Sequence, residues 1–318
     1  MRVLVTGAQG CVGAWVVKRL LGRGIDVLAF DLDADPVRLK LIAEAGELAK
    51  VRFETGRLED GARLKALVKD GQVTHIVHLA AVLIPFCQAN PAAGALVNVV
   101  GTLNVFEAAR DAGRPVRVAY ASSAAVWGPA DHYQDRPLTE ADKPHPATHY
   151  GVFKLANEDS ARVFHSANGI SSIGLRPWSV YGVGRDAGLT ADATLAMRAA
   201  ALGQDYRMRL TGYMDLQYVE DVAEAFVSCA LAELPGAHVF NLAGEVVEMA
   251  ALAELIGKLR PSAKGRITAE GPQVPVAFRM DNSALRQAFP DLPATPLEEG
   301  TARTIELFER LGREGRIH

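Results

Sequence analysis

Val5-Thr-Gly7-Ala-Gln-Gly10-Cys-Val-Gly13 is the stretch on which the fold turns. The run Arg2-Val-Leu-Val-Thr6 leading into it reads as a buried strand. Ala14-Trp-Val-Val-Lys-Arg-Leu-Leu21 behind it spaces its apolar residues as an amphipathic helix does, closed by Gly22 and Gly24. Glycines at 7, 10 and 13 permit a tight turn and close approach of backbone to a ligand. The helix that follows offers free amides and the positive end of its dipole. Gly7, Gln9, Gly10, Cys11, Val12 and Gly13 are therefore candidate contacts for a pyrophosphate. A second strand, 25–30, ends at Asp31, 18 residues beyond Gly13. A carboxylate there accepts hydrogen bonds from both ribose hydroxyls of an adenosine and repels a 2′-phosphate, so the spacing predicts NAD rather than NADP.

Outward from this unit the alternation continues. Helical patterns at 36–45, 62–69, 94–112 and 150–167 separate strand-like runs at 51–54, 75–78, 116–121 and 173–177. Such alternation predicts an α/β, Rossmann-type doubly wound parallel sheet. Past Pro177 the rhythm changes to a glycine-rich loop at 182–188, helices at 190–202, 221–231, 249–259 and 296–311, and a strand at 238–241. The expected division is a dinucleotide-binding domain over 1–176, to which 215–243 returns, and a smaller C-terminal substrate-binding lobe over 177–214 and 244–318.

Composition narrows the class. The chain has 318 residues, 49% hydrophobic and 22% charged, which excludes wholesale disorder. A net charge of −3 gives no electrostatic support for nucleic acid. No apolar run reaches the ~18 residues of a membrane span, and the chain opens directly into a strand with no room for a signal peptide. Three scattered cysteines, Cys11, Cys87 and Cys229, form no disulfide framework, so a cytoplasmic setting is expected. His75 and His78 lack partners at ligand spacing, and no metal site is expected.

A second constellation lies further along. Tyr150 and Lys154 are four apart at the start of a long helix, so they share one face. A nearby ammonium favours the phenolate of a tyrosine, whose ordinary pKa is about 10, and makes Tyr150 a candidate general base for an alcohol proton. The strand before it ends Tyr120-Ala-Ser122-Ser123, 27 residues ahead of Tyr150. A hydroxyl at the C-terminal end of a parallel strand faces the ligand crevice, and Ser123, with Ser122 as competitor, can orient the substrate oxygen.

With Thr6–Gly13, Asp31, Ser123, Tyr150 and Lys154 in order, the chain resembles the extended short-chain dehydrogenase/reductases, and more closely the NAD-dependent epimerase/dehydratase family. The likeness extends to His78-Leu-Ala-Ala81, Asn98–Ala109, Leu175–Gly182 and Tyr218–Ala223. It implies hydride transfer with Ser123, Tyr150 and Lys154 as the triad, and cofactor contacts at Leu58, Leu79, Ala80, Ala81, Asn98 and Pro177. It also implies substrate contacts at Leu83, Ala124, Trp127, Trp178 and Ser179, and a homodimer built on the two long helices. Departures bear on substrate. Ala124 and Ala125 replace the acidic residue of dehydratase relatives, and Met214 stands where nucleotide-sugar members carry an arginine before Asp215. Glu270–Gln273 replaces a second arginine-bearing turn, Ser179 an asparagine, and Arg57 an aspartate that meets adenine. A diphosphate profits from bidentate guanidinium contacts, which only Arg185 or Arg209 remain to supply.

The expected function is therefore an NAD-dependent dehydrogenase acting on a secondary alcohol of a small polar substrate, a sugar, sugar acid or hydroxy acid, with Arg185 either a clamp for a substrate carboxylate or phosphate or a solvated loop arginine. The alternative is a nucleotide-sugar (UDP-sugar) 4-epimerase with tightly held NAD. A third reading, a cofactor-sensing binding protein without turnover, calls for a broken triad, and this triad is whole.

Overall fold

The computed structural model describes residues 1–33, 35–188 and 190–317. Twelve strands are found among them: β1 (Arg2–Thr6), β2 (Asp26–Asp31), β3 (Arg52–Thr55), β4 (His75–His78), β5 (Arg117–Ala121), β6 (Ser172–Arg176), β7 (Ser179–Tyr181), β8 (Tyr206–Met208), β9 (Tyr213–Tyr218), β10 (Ala237–Asn241), β11 (Glu245–Glu248) and β12 (Ile267–Ala269). Seven form one sheet in the order β10-β6-β5-β4-β1-β2-β3, each neighbouring pair parallel. Period-two alternation sends Val3, Val5, Val27 and Ala29 into one core, and Leu4, Leu28 and Phe30 into the other. Helices Cys11–Gly22 and Val219–Leu231 pack together on the first face, and Gly61–Asp70 and Gly101–Arg110 on the second. This is the doubly wound Rossmann-type sheet that the alternation predicts. Because β1 is followed by β2 on one side while the chain later crosses to β4 on the other, the crevice opens beyond the C-terminal ends of β1 and β4.

The helix expected at 36–45 is two short helices, Val37–Ile42 and Ala45–Leu48. Ala43 is extended (φ −108°, ψ 151°), and Glu44 and Glu47 restart the chain with a reciprocal capping box. The helix expected from Gly94 begins at Pro91, a residue suited to a first helical turn, and passes through a π-helical stretch at Leu96–Val100. Together, Pro91–Arg110 is long and apolar enough to meet the criteria for a membrane span, against the expectation from sequence. Its C-terminal half is spent on the protein core, with Val105, Phe106, Ala108 and Ala109 buried against the sheet, while Leu96 and Val100 are exposed.

Beyond β6 stand a three-stranded sheet, β11-β9-β7, and a β12-β8 pair. The helix Val219–Leu231 packs against the large sheet and β10 is its edge strand beside β6, whereas β9 lies in the smaller one. The segment at 274–280 reaches back to the large unit: Ala277 donates to the Gly128 carbonyl, and the indole of Trp178 donates to the Ala277 carbonyl at 2.8 Å.

Candidate active site

The glycine loop is shaped by contacts that exclude side chains. Gly7 has φ +68°, and a Cβ there would lie 2.6 Å from the Ala80 nitrogen; a Cβ on Gly13 would lie 2.0 Å from the Gly7 carbonyl oxygen. Gly10 caps the helix Cys11–Gly22 with no side-chain bond and no acidic residue in the first turn, so its leading amides stand open to an anion. Asp31 accepts from the Gln9 and Leu32 amides at 2.9 and 2.8 Å, leaving lone pairs for ribose hydroxyls. Under the loop, Thr6 Oγ1 meets His78 Nδ1 at 2.7 Å and His78 Nε2 meets Thr102 Oγ1 at 3.0 Å. Burial pushes the His78 imidazole down to about 3, so it is a neutral strut.

Two chambers open from this loop. One of about 650 Å³ holds Gln9, Asp31, Leu58, Leu79, Ala80 and Ala81. The other, of about 380 Å³, holds Gly7, Gly10, Cys11, Val12, Gly13, Ser123, Tyr150, Lys154 and Pro177. Residues that could hold a dinucleotide line both: Asp31 for the adenosine ribose in the first, Tyr150 and Lys154 for the nicotinamide end in the second. Burial pushes the Cys11 thiol up to about 12, which leaves it an inert wall. Asn98 does not line either chamber. It is buried, and its carboxamide accepts from the Val82 amide and donates to the Val82 carbonyl, each at 2.8 Å, fixing the loop behind the cofactor cleft.

Thr148 accepts from the Gly151 amide and starts the helix His149–Asn168, which carries Tyr150 and Lys154. A Cβ on Gly151 would sit 2.3 Å from the Ala125 carbonyl oxygen, so glycine lets the helix press against the Ser123 segment. The Ser123 hydroxyl accepts from the Ala125 amide at 3.1 Å and is near enough to the Tyr150 phenol to favour its ionised form. Burial pushes the phenol up to about 12, against the lowering pull of Ser123 and of the Arg185 charge. Lys154 Nζ donates to the Ala121 carbonyl at 2.6 Å and lies 5.5 Å from the Tyr150 ring centre. Burial pushes this ammonium down to about 8. Ser122 faces away from that chemistry: its hydroxyl donates to Glu158, which is paired bidentately with buried Arg176 at 2.8 and 2.7 Å. Arg176 in turn lies 4.5 Å over the Trp127 ring.

A third cavity, about 120 Å³, adjoins the triad and is lined by Leu83, Ile84, Pro85, Ser123, Ala124, Ala125, Tyr150, Trp178, Arg185, Thr190, Val274 and Val276. Arg185 donates to Thr190 Oγ1 at 3.1 Å, and its buried Nε has no hydrogen-bond partner. Of the residues expected to meet substrate, Trp127 and Ser179 do not line it. Trp127 is wholly buried beneath Arg176 and Tyr133. Ser179 is wholly buried on β7, its hydroxyl 3.4 Å from the Thr190 carbonyl. Sequence reasoning missed Arg38, Asp186, Val274 and Val276. The two valines come from a tail segment with no periodic signal, and Arg38 and Asp186 stand 148 residues apart.

These features define a Rossmann-type enzyme that uses NAD. The sequence profile described as the NAD dependent epimerase/dehydratase family matches residues 3–243, and the chain belongs to that family. It is 31% identical over 330 residues to a UDP-glucose 4-epimerase of Mycolicibacterium smegmatis, covering 97% of this chain and 98% of that one. Among solved structures it is similar to the Thermus thermophilus UDP-glucose 4-epimerase complex with NAD (25% identity, TM-score 0.81, 97% and 99% of the two chains). It is similar also to MoeE5 in complex with UDP-glucuronic acid and NAD (27% identity, TM-score 0.80, 98% and 99%).

Proposed function

We propose that this enzyme oxidises a secondary alcohol of a small polar substrate bearing a carboxylate, such as a sugar acid or hydroxy acid. Bound NAD supplies the hydride acceptor. Tyr150 takes the hydroxyl proton, its ionised form favoured by Ser123 and the Arg185 charge; Ser123 orients that oxygen, and Lys154 stands 5.5 Å from the Tyr150 ring centre. Arg185 anchors the carboxylate.

The observation that carries this reading is the cavity over the triad. It adds about 120 Å³ to the chamber it adjoins, sharing Leu83, Ser123, Tyr150, Trp178 and Arg185 with it, and it presents one guanidinium whose Nε is buried and unpaired. A diphosphate anchor has less support. Met214 is buried in the core, and Arg209 is committed to Asp192, with contacts at 2.5 and 3.1 Å. Ala124 and Ala125 give no acid for elimination. The second reading, a UDP-sugar 4-epimerase, is favoured by the near full-length likeness to the M. smegmatis enzyme.

Tyr150→Phe tests the mechanism. The expected result is loss of turnover by about two to four orders of magnitude, the usual worth of general acid–base catalysis, with NAD binding by calorimetry unchanged. Retained turnover would remove Tyr150 from the chemistry under either reading.

A further inference from the structure

Arg38 occupies an unusual place: it lines both the adenosine chamber and the nicotinamide chamber. The residues common to the two are Gly7, Gly10, Leu79 and Ala81 on one side and Arg38 on the other. A dinucleotide lying across both chambers must pass its pyrophosphate through this waist, between the open amides of the glycine loop and the Arg38 guanidinium.

Arg38 is fastened there from two sides. Its Nη1 donates to the Gln9 carbonyl at 3.0 Å, tying it to the glycine loop. Its Nε and Nη2 donate bidentately to Asp186 at 3.0 and 2.7 Å. Asp186 belongs to the loop after β7, next to Arg185 of the substrate cavity. The pair thus joins the edge of the dinucleotide unit to a loop of the opposite side, above the pyrophosphate path. Its side chains are 31% and 49% exposed, so the contact can open without unpacking any core.

We infer that the Arg38–Asp186 ion pair is a clasp over the cofactor pyrophosphate, and that its opening gates entry and release of NAD and NADH. Arg38 also adds a charge facing the phosphates, so Asp186 has two opposite influences. As a latch it slows release; as a competing carboxylate it weakens the hold of Arg38 on the anion. Of the two, the latch dominates. The clasp rests on the cofactor cleft, whichever substrate the enzyme takes.

Stopped-flow release of NADH, read by its fluorescence from preloaded protein chased with excess NAD, tests this. Asp186→Ala is expected to release NADH about three- to fivefold faster, the factor that an exposed bidentate ion pair supports, and Asp186→Glu to restore slow release. In an Arg38→Ala background, removing Asp186 should add nothing further, because the two act as one unit. Release that is unchanged or slower in Asp186→Ala would overturn the clasp, as would an acceleration that persists without Arg38.

Discussion

Replacing Lys154 by methionine removes an ammonium that is only 4% exposed and has the Ala121 carbonyl as its hydrogen-bond partner. Burial lowers its pKa from 10.5 to about 8. At about 1.36 kcal/mol per unit, the folded cofactor-free protein at neutral pH carries a penalty of about 3 kcal/mol for keeping this charge. The sign follows from proton counts: between pH 8 and 10.5 the unfolded chain holds the proton and the folded chain does not, so stability rises with pH across that window. The penalty is full below about 8 and absent above 10.5. Methionine removes it at every pH but leaves the Ala121 carbonyl without its donor, a loss of about 1 kcal/mol where cavity water can substitute. Lys154→Met should therefore be about 2 kcal/mol more stable than the parent at pH 7, and slightly less stable near pH 10.5. Urea unfolding of the cofactor-free proteins between pH 7 and 10.5, with turnover in parallel, measures this. A stability difference that is flat with pH, or a variant less stable at pH 7, would refute the reasoning. Loss of turnover in the stabilised variant would identify Lys154 as a residue held at a cost to the fold for the sake of the site.

Arg185→Met should lower kcat/KM for a carboxylate substrate by about ten- to a hundredfold, on a scale of roughly 1.5–3 kcal/mol for a charged hydrogen bond, while leaving NAD affinity unchanged by calorimetry. An unaltered kcat/KM would leave Arg185 a packing residue. Arg176→Met strands Glu158, whose carboxylate is almost wholly enclosed and bonded to Ser122. A broken buried pair costs about 3–5 kcal/mol, so the midpoint in urea should fall sharply; a midpoint within experimental error of the parent would show that the pair relaxes into water.

The dinucleotide half was legible because its signals are local. The glycine spacing, Asp31 at a strand end, and the i, i+4 pair of Tyr150 and Lys154 need only a few neighbouring residues to be understood. The smaller sheet was less so. β7 and β8 are three residues long, too short for alternation to register, and β7 finds its partner in β9, more than thirty residues on. Only the end of β9 stood out, as the entry to the following helix. In the site, chain position gave proximity but not direction. Ser179 and Trp127 lie near the right strand ends, yet β7 turns the serine into the core and Arg176 covers the indole. Asn98 lies in the expected helix, but Val82 claims its carboxamide. Arg38 carried no signal, since its role depends on a carboxylate in a distant loop.

The proposed reaction is net oxidation of a small, carboxylate-bearing alcohol. The most direct measurement is absorbance at the NADH wavelength, with purified enzyme and excess NAD set against sugar acids, hydroxy acids, free sugars and UDP-sugars. Stoichiometric NADH is expected with one or more unactivated acids and none with UDP-sugars. Interconversion of UDP-sugar epimers by chromatography, with no NADH accumulating from any acid, would contradict it and make the enzyme a 4-epimerase.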